Sequence, residues 1–152
     1  MTAGVAPLPT SWKSLVERYL SLNLYDSARF YAERLHYDSP NEESLGLLAT
    51  CYYRLGKVKQ TYMILSESKY LNSPDNKYLF ALVCLSLGKY DEAEFVLHSN
   101  NRFINYEEMT KENMASIPGG GAGLYLMGKI CRRQQRKEAS IHYFKLALQV
   151  SG

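Results

Sequence analysis

The sequence lacks several features that identify particular classes of protein. Its three cysteines, Cys51, Cys84 and Cys131, are far apart and form no CxxC pair. This pattern argues against a disulfide framework or a zinc site and favours a reducing compartment. No run approaches the roughly 18 apolar residues of a transmembrane helix. Residues 1–10 lack the basic start and apolar stretch of a signal peptide. We therefore expect an intracellular chain without a membrane segment.

The chain also has little net charge. Lysine and arginine number 18 against 15 aspartate and glutamate, which gives a net charge of +3 in 152 residues. The apolar fraction of 46% and the charged fraction of 22% exclude wholesale disorder. What the chain has in excess is tyrosine, with 13 residues against five phenylalanines and one tryptophan. An ordinary aliphatic core does not account for that number.

A short motif recurs every 32 or 33 residues. Asn23, Gly56 and Gly88 each lie between two segments in which apolar residues follow helical spacing, as they do from Trp12 to Tyr19. No alternating pattern typical of strands competes with these segments. The sequence therefore predicts an all-α fold of antiparallel helix pairs.

The period and the residue classes resemble the tetratricopeptide repeat (TPR). The resemblance implies a TPR superhelix of about four repeats, near residues 9–40, 42–73, 74–100 and 121–152, with an inserted loop at 101–120. These repeats form a single predicted domain over residues 9–152. No polar capping helix follows the fourth repeat. We therefore expect the amino-terminal fragment of a longer TPR protein, or an end that is covered by association.

No group of residues indicates catalysis, a metal site or a cofactor. His36, His98 and His142 have no plausible nucleophile beside them, so we expect surface or helix-end roles for all three. The glycines within residues 119–123 are not followed by Gly-Lys-Ser/Thr, which favours a flexible connector over a phosphate-binding loop. We predict a protein that is not an enzyme and has neither a cofactor nor a small-molecule substrate.

One charge cluster lies near the end of the chain. Its members are Lys129, Arg132, Arg133 and Arg136, followed by Lys137. A nucleic-acid surface is one interpretation, but the cluster is short and has no interleaved exposed aromatic residue. A solvated helix face or a patch for an acidic protein partner is the interpretation we favour, and no nucleic acid is predicted as a partner.

TPR proteins line a concave groove with their first helices, and the motif assigns the groove positions. Including two apolar residues of the first repeat, the predicted dimer or partner surface comprises Leu20, Phe30, Tyr31, Thr50, Tyr53, Arg54, Tyr78, Leu82, Leu85 and Tyr125. Such an apolar surface suits an amphipathic helix. The alternative is that Tyr53 and Tyr78 only pack between adjacent repeats.

The first repeat has no preceding repeat to cover it. If two chains exchange first repeats, both grooves are filled by a two-fold symmetric contact, so we predict a homodimer. The competing interpretation is a monomeric adaptor that binds a peptide or helix of another protein through Tyr53, Tyr78, Lys129 and Arg132. A third interpretation, an RNA-binding repeat protein, is disfavoured by the mild charge.

Three stretches resemble one family of TPR proteins. Residues 27–35 (SARFYAERL), 47–57 (LLATCYYRLGK) and 117–128 (IPGGGAGLYLMG) are similar to the amino-terminal repeats of the anaphase-promoting complex subunit 3 family, the cell division cycle protein 27 homologues. The sibling scaffold subunit, cell division cycle protein 16 homologue, shares the layout but fits residues 47–54 less well.

The resemblance implies a scaffold of a multisubunit ubiquitin ligase that acts in mitosis. It implies homodimerisation through the amino-terminal repeats, other subunits of the complex as partners, and a location in the nucleus and cytoplasm. It also places the repeats that receive activator tails beyond Gly152.

Overall fold

The computed structural model describes residues 12–98 and 116–151, and all the regular elements within those ranges are α-helices. They are α1 (Trp12–Ser21), α2 (Tyr25–Asp38), α3 (Glu42–Arg54), α4 (Val58–Ser66), α5 (Pro74–Ser86), α6 (Tyr90–Leu97), α7 (Gly121–Arg133) and α8 (Lys137–Ser151). Consecutive helices form four hairpins, so the all-α prediction is confirmed over these ranges. None of the helices described is long and apolar enough to cross a membrane. Most of the predicted loop 101–120, up to residue 115, lies outside the described residues.

The chain divides into two compact units, one that ends at Leu71 and one that begins at Asn72. The first contains α1 to α4 and the second contains α5 to α8. Within each unit, the first helix of one hairpin contacts both helices of the preceding hairpin: α3 packs on α1 and α2, and α7 packs on α5 and α6. The sequence predicts one domain over residues 9–152, and the boundary between the units falls two residues before the end of the second predicted repeat, 42–73.

Each of the four hairpins turns at one residue with left-handed backbone geometry. The φ angles are 60° at Asn23, 78° at Gly56, 76° at Gly88 and 63° at Gln135. The amide of each of these residues donates to the carbonyl three residues earlier, and the next amide donates to the carbonyl five residues earlier. These two bonds form the Schellman motif, which ends a helix. The turns predicted at Asn23, Gly56 and Gly88 are confirmed.

Small residues allow the helices of a hairpin to come close together. In the first unit, Ala28 and Ala32 of α2 are fully buried beside Val16 of α1. In the last hairpin, a Cβ on Gly128 would lie 2.5 Å from the ring of Phe144. The Gly128 carbonyl also accepts a 2.8 Å hydrogen bond from the Ser140 hydroxyl. A larger residue at position 128 would therefore force α7 and α8 apart.

All three cysteines are buried free thiols. Burial raises the pKa of Cys51 and of Cys131 to about 11, and it raises the pKa of Cys84 to about 12. These side chains therefore pack as small apolar residues.

A buried polar pair joins α6 to α8 in the second unit. His98 is 7% exposed and Tyr143 is 2% exposed, and Nε2 of His98 lies 3.2 Å from the Tyr143 hydroxyl. Burial lowers the pKa of His98, while neighbouring Glu94 acts to raise it and Arg136 to lower it. His98 does cap the end of α6, as expected, but it is not on the surface. The reason is that Tyr143, 45 residues away in sequence, covers it.

We predict opposite effects of substitutions at two equivalent turns of the second unit. Gln135→Gly removes the cost of left-handed geometry at a residue with a Cβ, and should raise the free energy of unfolding by about 0.5–1 kcal/mol. The matched change Gly88→Ala should lower the free energy of unfolding by about 1 kcal/mol. No atom lies within 4 Å of the new Cβ, so the cost comes from placing a residue with a Cβ at positive φ. Urea unfolding followed by circular dichroism measures both changes in the free energy of unfolding. Changes of the same sign in the two variants would contradict the left-handed geometry assigned to both turns.

We also predict that His98 makes the stability depend on pH. The unfolded chain takes up a proton near pH 6.5, whereas native His98 does so only at lower pH, so acidification below about 6.5 should destabilise the fold. His98→Gln keeps a polar partner for Tyr143 but cannot titrate. The fall in melting temperature from about pH 8 to about pH 5.5 should be smaller for this variant than for the wild type. Equal falls in the two proteins would show that His98 does not contribute to the pH dependence.

Candidate partner-binding surfaces

Four aromatic rings from α1 and α2 form a cluster on the first hairpin, called here the aromatic cluster: Trp12, Tyr19, Phe30 and Tyr31. The Tyr31 ring stacks on Trp12 at 5.5 Å and on Tyr19 at 5.6 Å, and meets Phe30 edge-on at 5.2 Å. The guanidinium of Arg34 lies 3.8 Å from the centre of the Phe30 ring. The first hairpin alone therefore presents a contiguous aromatic surface.

The members of this surface differ in how open they are to a partner. Trp12 is 40% exposed and Phe30 is 47% exposed, and the same hairpin also exposes Leu22 and Leu24. Leu20 and Tyr31 are half-buried and pack against the buried residues of the first unit. Of the three first-hairpin residues assigned to the partner surface by sequence, Phe30 is thus the most exposed. Trp12, Leu22 and Leu24 were not assigned to it.

The three groove residues predicted on α3 make contacts within their own unit. The Thr50 hydroxyl donates to the Gly46 carbonyl at 2.7 Å, and Tyr53 is half-buried. Arg54 donates to the Tyr25 hydroxyl at 3.2 Å and lies 5.7 Å from the centre of its ring. Arg54 therefore links α3 to the turn of the first hairpin.

A charged network that was not predicted from the sequence also links α2 to α3. The Tyr52 hydroxyl donates to Glu33 at 2.8 Å, and Arg29 lies 2.6 Å from Asp26 and 3.8 Å from Glu33. Burial raises the pKa of Tyr52, with a further contribution from its bond to Glu33. The ion pairs of this network could have been predicted, because Asp26, Arg29 and Glu33 have the three- and four-residue spacing of ion pairs on a helix.

The predicted groove residues on α5 lie at different depths. Leu85 is only 6% exposed, because α6 and α7 both pack against α5, so it belongs to the core of the second unit rather than to a surface open to a partner. Leu82 is half-buried. Tyr78 is half-buried too, and its ring lies so close to Gly119 that a Cβ there would come within 2.7 Å.

A groove of about 540 Å³ lies between α7 and α8, called here the α7–α8 groove. Its lining includes Tyr125, Phe144, Ala147, Leu148 and Arg132. Tyr125 is 53% exposed and Leu148 is 74% exposed, and the Tyr125 ring lies 5.3 Å from that of Phe144. Tyr125, predicted as a groove residue, therefore lines this groove with an exposed aromatic ring.

One member of the predicted basic cluster, Arg136, forms an ion pair with a carboxylate. Arg136 donates to Glu94 at 2.9 Å, and this bond raises the pKa of Arg136. Arg136 is therefore already engaged by the preceding hairpin. Lys129 lies 5.6 Å from the centre of the Tyr125 ring, and Arg132 and Arg133 are exposed. Across residues 12–98 and 116–151, no three His, Cys, Asp or Glu side chains form a group that could hold a metal.

Comparison with known sequences identifies related proteins. The family model for anaphase-promoting complex, cyclosome, subunit 3 matches residues 21–100, and a tetratricopeptide repeat model matches residues 122–152. Cell division cycle protein 27 homolog A of Arabidopsis thaliana is 37% identical over 88% of this chain and 17% of its own length. The human cell division cycle protein 27 homolog is 45% identical over 58% of this chain and 11% of its own length. The chain therefore spans only a small part of these relatives.

Comparison with solved structures supports the fold. The crystal structure of MamA matches with a TM-score of 0.71 and 20% identity, over 92% of this chain and 76% of that one. A chain in the crystal structure of the APC/C hetero-tetramer Cut9–Hcn1 matches with a TM-score of 0.72 and 20% identity, over 89% and 25% of the two chains. Together with the repeat model, these matches confirm the predicted TPR fold. Since the subunit 3 model covers more than half of the sequence, the chain belongs to the anaphase-promoting complex subunit 3 family.

Proposed function

We propose that this chain is a non-catalytic scaffold segment of the anaphase-promoting complex, a ubiquitin ligase of the cell cycle, and that it forms a homodimer. Membership of the subunit 3 family supports the scaffold role. The exposed apolar side chains of the first hairpin support the dimer. The proposed partners are a second copy of the chain and other subunits of the complex, in the nucleus and cytoplasm.

The observation that carries the dimer proposal is the open aromatic cluster. Trp12 and Phe30 leave 40% and 47% of their surface exposed, and Leu22 and Leu24 leave 55% and 48% exposed. Apolar side chains concentrated on one hairpin are typical of a surface that another protein covers. Tryptophan and phenylalanine are also enriched where proteins meet.

The packing of the first unit limits where the second copy binds. The α1–α2 hairpin contacts α3 on one side, so a partner has to approach the remaining surface, on which the aromatic cluster is exposed. In a two-fold dimer the same patch of each copy takes part, and each hairpin then covers apolar surface of the other. Such a contact removes the exposed rings of both copies from water at once.

We expect the wild-type chain to sediment as a dimer of about twice 17.4 kDa at about 10 µM. Phe30→Glu should convert it into a helical monomer, because the interface would then bury an unpaired carboxylate. Phe30 is a sharper site for this test than Leu20, since Leu20 packs against the core of its own unit. Analytical ultracentrifugation measures the mass, and circular dichroism verifies that the variant remains folded.

Met63→Glu provides the matched control, because Met63 is 53% exposed in the same unit but lies on α4. This variant should remain dimeric. A wild-type monomer at that concentration would contradict the dimer and favour the monomeric adaptor. A dimer that both substitutions leave intact would exclude the aromatic cluster as its interface.

A further inference from the structure

The outer face of α2 carries an evenly spaced row of exposed residues, called here the α2 stripe: Asp26, Phe30 and Arg34. Successive members are four residues apart, so they follow one another along one side of the helix. The Asp26 side chain is 79% exposed, Phe30 is 47% exposed, and Arg34 is exposed as well. One helix of the first hairpin thus presents an acid, an aromatic ring and a base in line.

The α2 stripe is not the face on which a neighbouring repeat stacks. Ala28 and Ala32 are fully buried in the core shared with α1, and each lies two residues from Phe30, which is about 200° around the helix. The side of α2 that meets α3 carries Glu33. The side shared with the aromatic rings of α1 carries Tyr31. The stripe therefore faces away from both α1 and α3.

The two charges of the stripe are only partly engaged within the chain. Asp26 accepts from Arg29 through one oxygen, Oδ1, at 2.6 Å, and most of its side chain stays exposed. Arg34 donates to the Phe30 carbonyl at 3.5 Å, and its guanidinium lies 3.8 Å from the centre of the Phe30 ring. Among the residues that the structure describes, Arg34 forms no ion pair with a carboxylate. A surface that covers Phe30 also removes Arg34 from water, so it has to offer a negative partner.

A second copy of the chain offers that partner by symmetry. When two identical helices cross antiparallel at one residue, the residue four places after the crossing faces the residue four places before it on the other copy. With Phe30 at the crossing, Arg34 of each copy faces Asp26 of the other, so opposite charges meet twice. A crossing at Arg34 or at Asp26 brings two like charges together, and so does a parallel arrangement. Charge therefore selects one register of the two helices.

The same register covers other exposed apolar residues of the hairpin. Tyr37 is 79% exposed and lies seven residues after Phe30, about 10 Å along the helix axis. The turn at residues 22–24 lies a similar distance before Phe30, and its Leu22 and Leu24 are 55% and 48% exposed. In an antiparallel pair, the Tyr37 ring of each copy therefore comes to the exposed leucines of the other.

We propose that the homodimer is held by an antiparallel α2–α2 contact with Phe30 at the two-fold axis, in which Arg34 of each copy pairs with Asp26 of the other. The inference rests on the proposed dimer and adds its register. The two Phe30 rings pack against each other, each with a guanidinium over its face. The two ion pairs make a second copy of this chain the preferred partner, because they disfavour a surface without the same pattern of charge.

Charge reversal with mixing of variants tests the register. Arg34→Glu and Asp26→Lys each place like charges together twice, so each variant alone should dimerise at least about tenfold more weakly than the wild type. An equimolar mixture of the two should recover dimers, because opposite charges then meet at both contacts. Sedimentation velocity over a dilution series measures the affinities, and native mass spectrometry identifies the recovered dimer as the mixed one.

Arg18→Glu and Glu17→Lys are the matched controls, since both residues are exposed and the changes in charge are identical, but they lie on α1. Both variants should dimerise as the wild type does. Tyr37→Ser should weaken the dimer, although Tyr37 is not a member of the aromatic cluster. Circular dichroism verifies that every variant remains helical.

The outcomes separate this register from the dimer itself. A wild-type monomer at about 10 µM overturns both. A wild-type dimer that Phe30→Glu disrupts, but that Arg34→Glu and Asp26→Lys leave intact, overturns only the register. Failure of the mixed variants to dimerise, or equal losses in Arg34→Glu and Arg18→Glu, overturns the register as well.

Discussion

The hairpins of this protein depend on the conformation of one residue in each turn. The left-handed residue and its two hydrogen bonds end the first helix, and the second helix begins two residues later. Helices α2, α4 and α6 have no side-chain hydrogen bond at their N-caps, so the backbone of the turn alone directs their start. The four turns share one geometry, so each pair of consecutive helices folds back as a hairpin. In both units, the first helix of the second hairpin then contacts both helices of the first.

The sequence predicts local features well, for a physical reason. Glycine and asparagine tolerate positive φ, so Gly56, Gly88 and Asn23 reveal their turns through composition alone. Gln135 carries no such signal, and only the repeated pattern of small and aromatic residues around it indicates a fourth hairpin. The same pattern predicts the close contact at Gly128, where a side chain would meet Phe144.

Depth within the fold was harder to predict, because it depends on segments that are distant in sequence. Leu85 matches a groove position of the repeat, but packing of α6 and α7 on α5 leaves it 6% exposed. His98 resembles any helix-end histidine until α8 brings Tyr143 over it. Arg136 belongs to the basic cluster by spacing, yet Glu94, 42 residues away, forms an ion pair with it.

The buried thiols make local opening of the fold observable. A thiol with a pKa of about 11 or 12 is almost wholly protonated at neutral pH, and the thiolate is the form that reacts with alkylating agents. Cys51, Cys84 and Cys131 lie in the second, third and fourth hairpins, so alkylation of each thiol requires local opening around it. Cys51 packs in one cluster with Val16 and Ala28 of the first hairpin, so opening of either hairpin exposes it. Mass spectrometry of the alkylated chain therefore measures local opening around each of these three thiols.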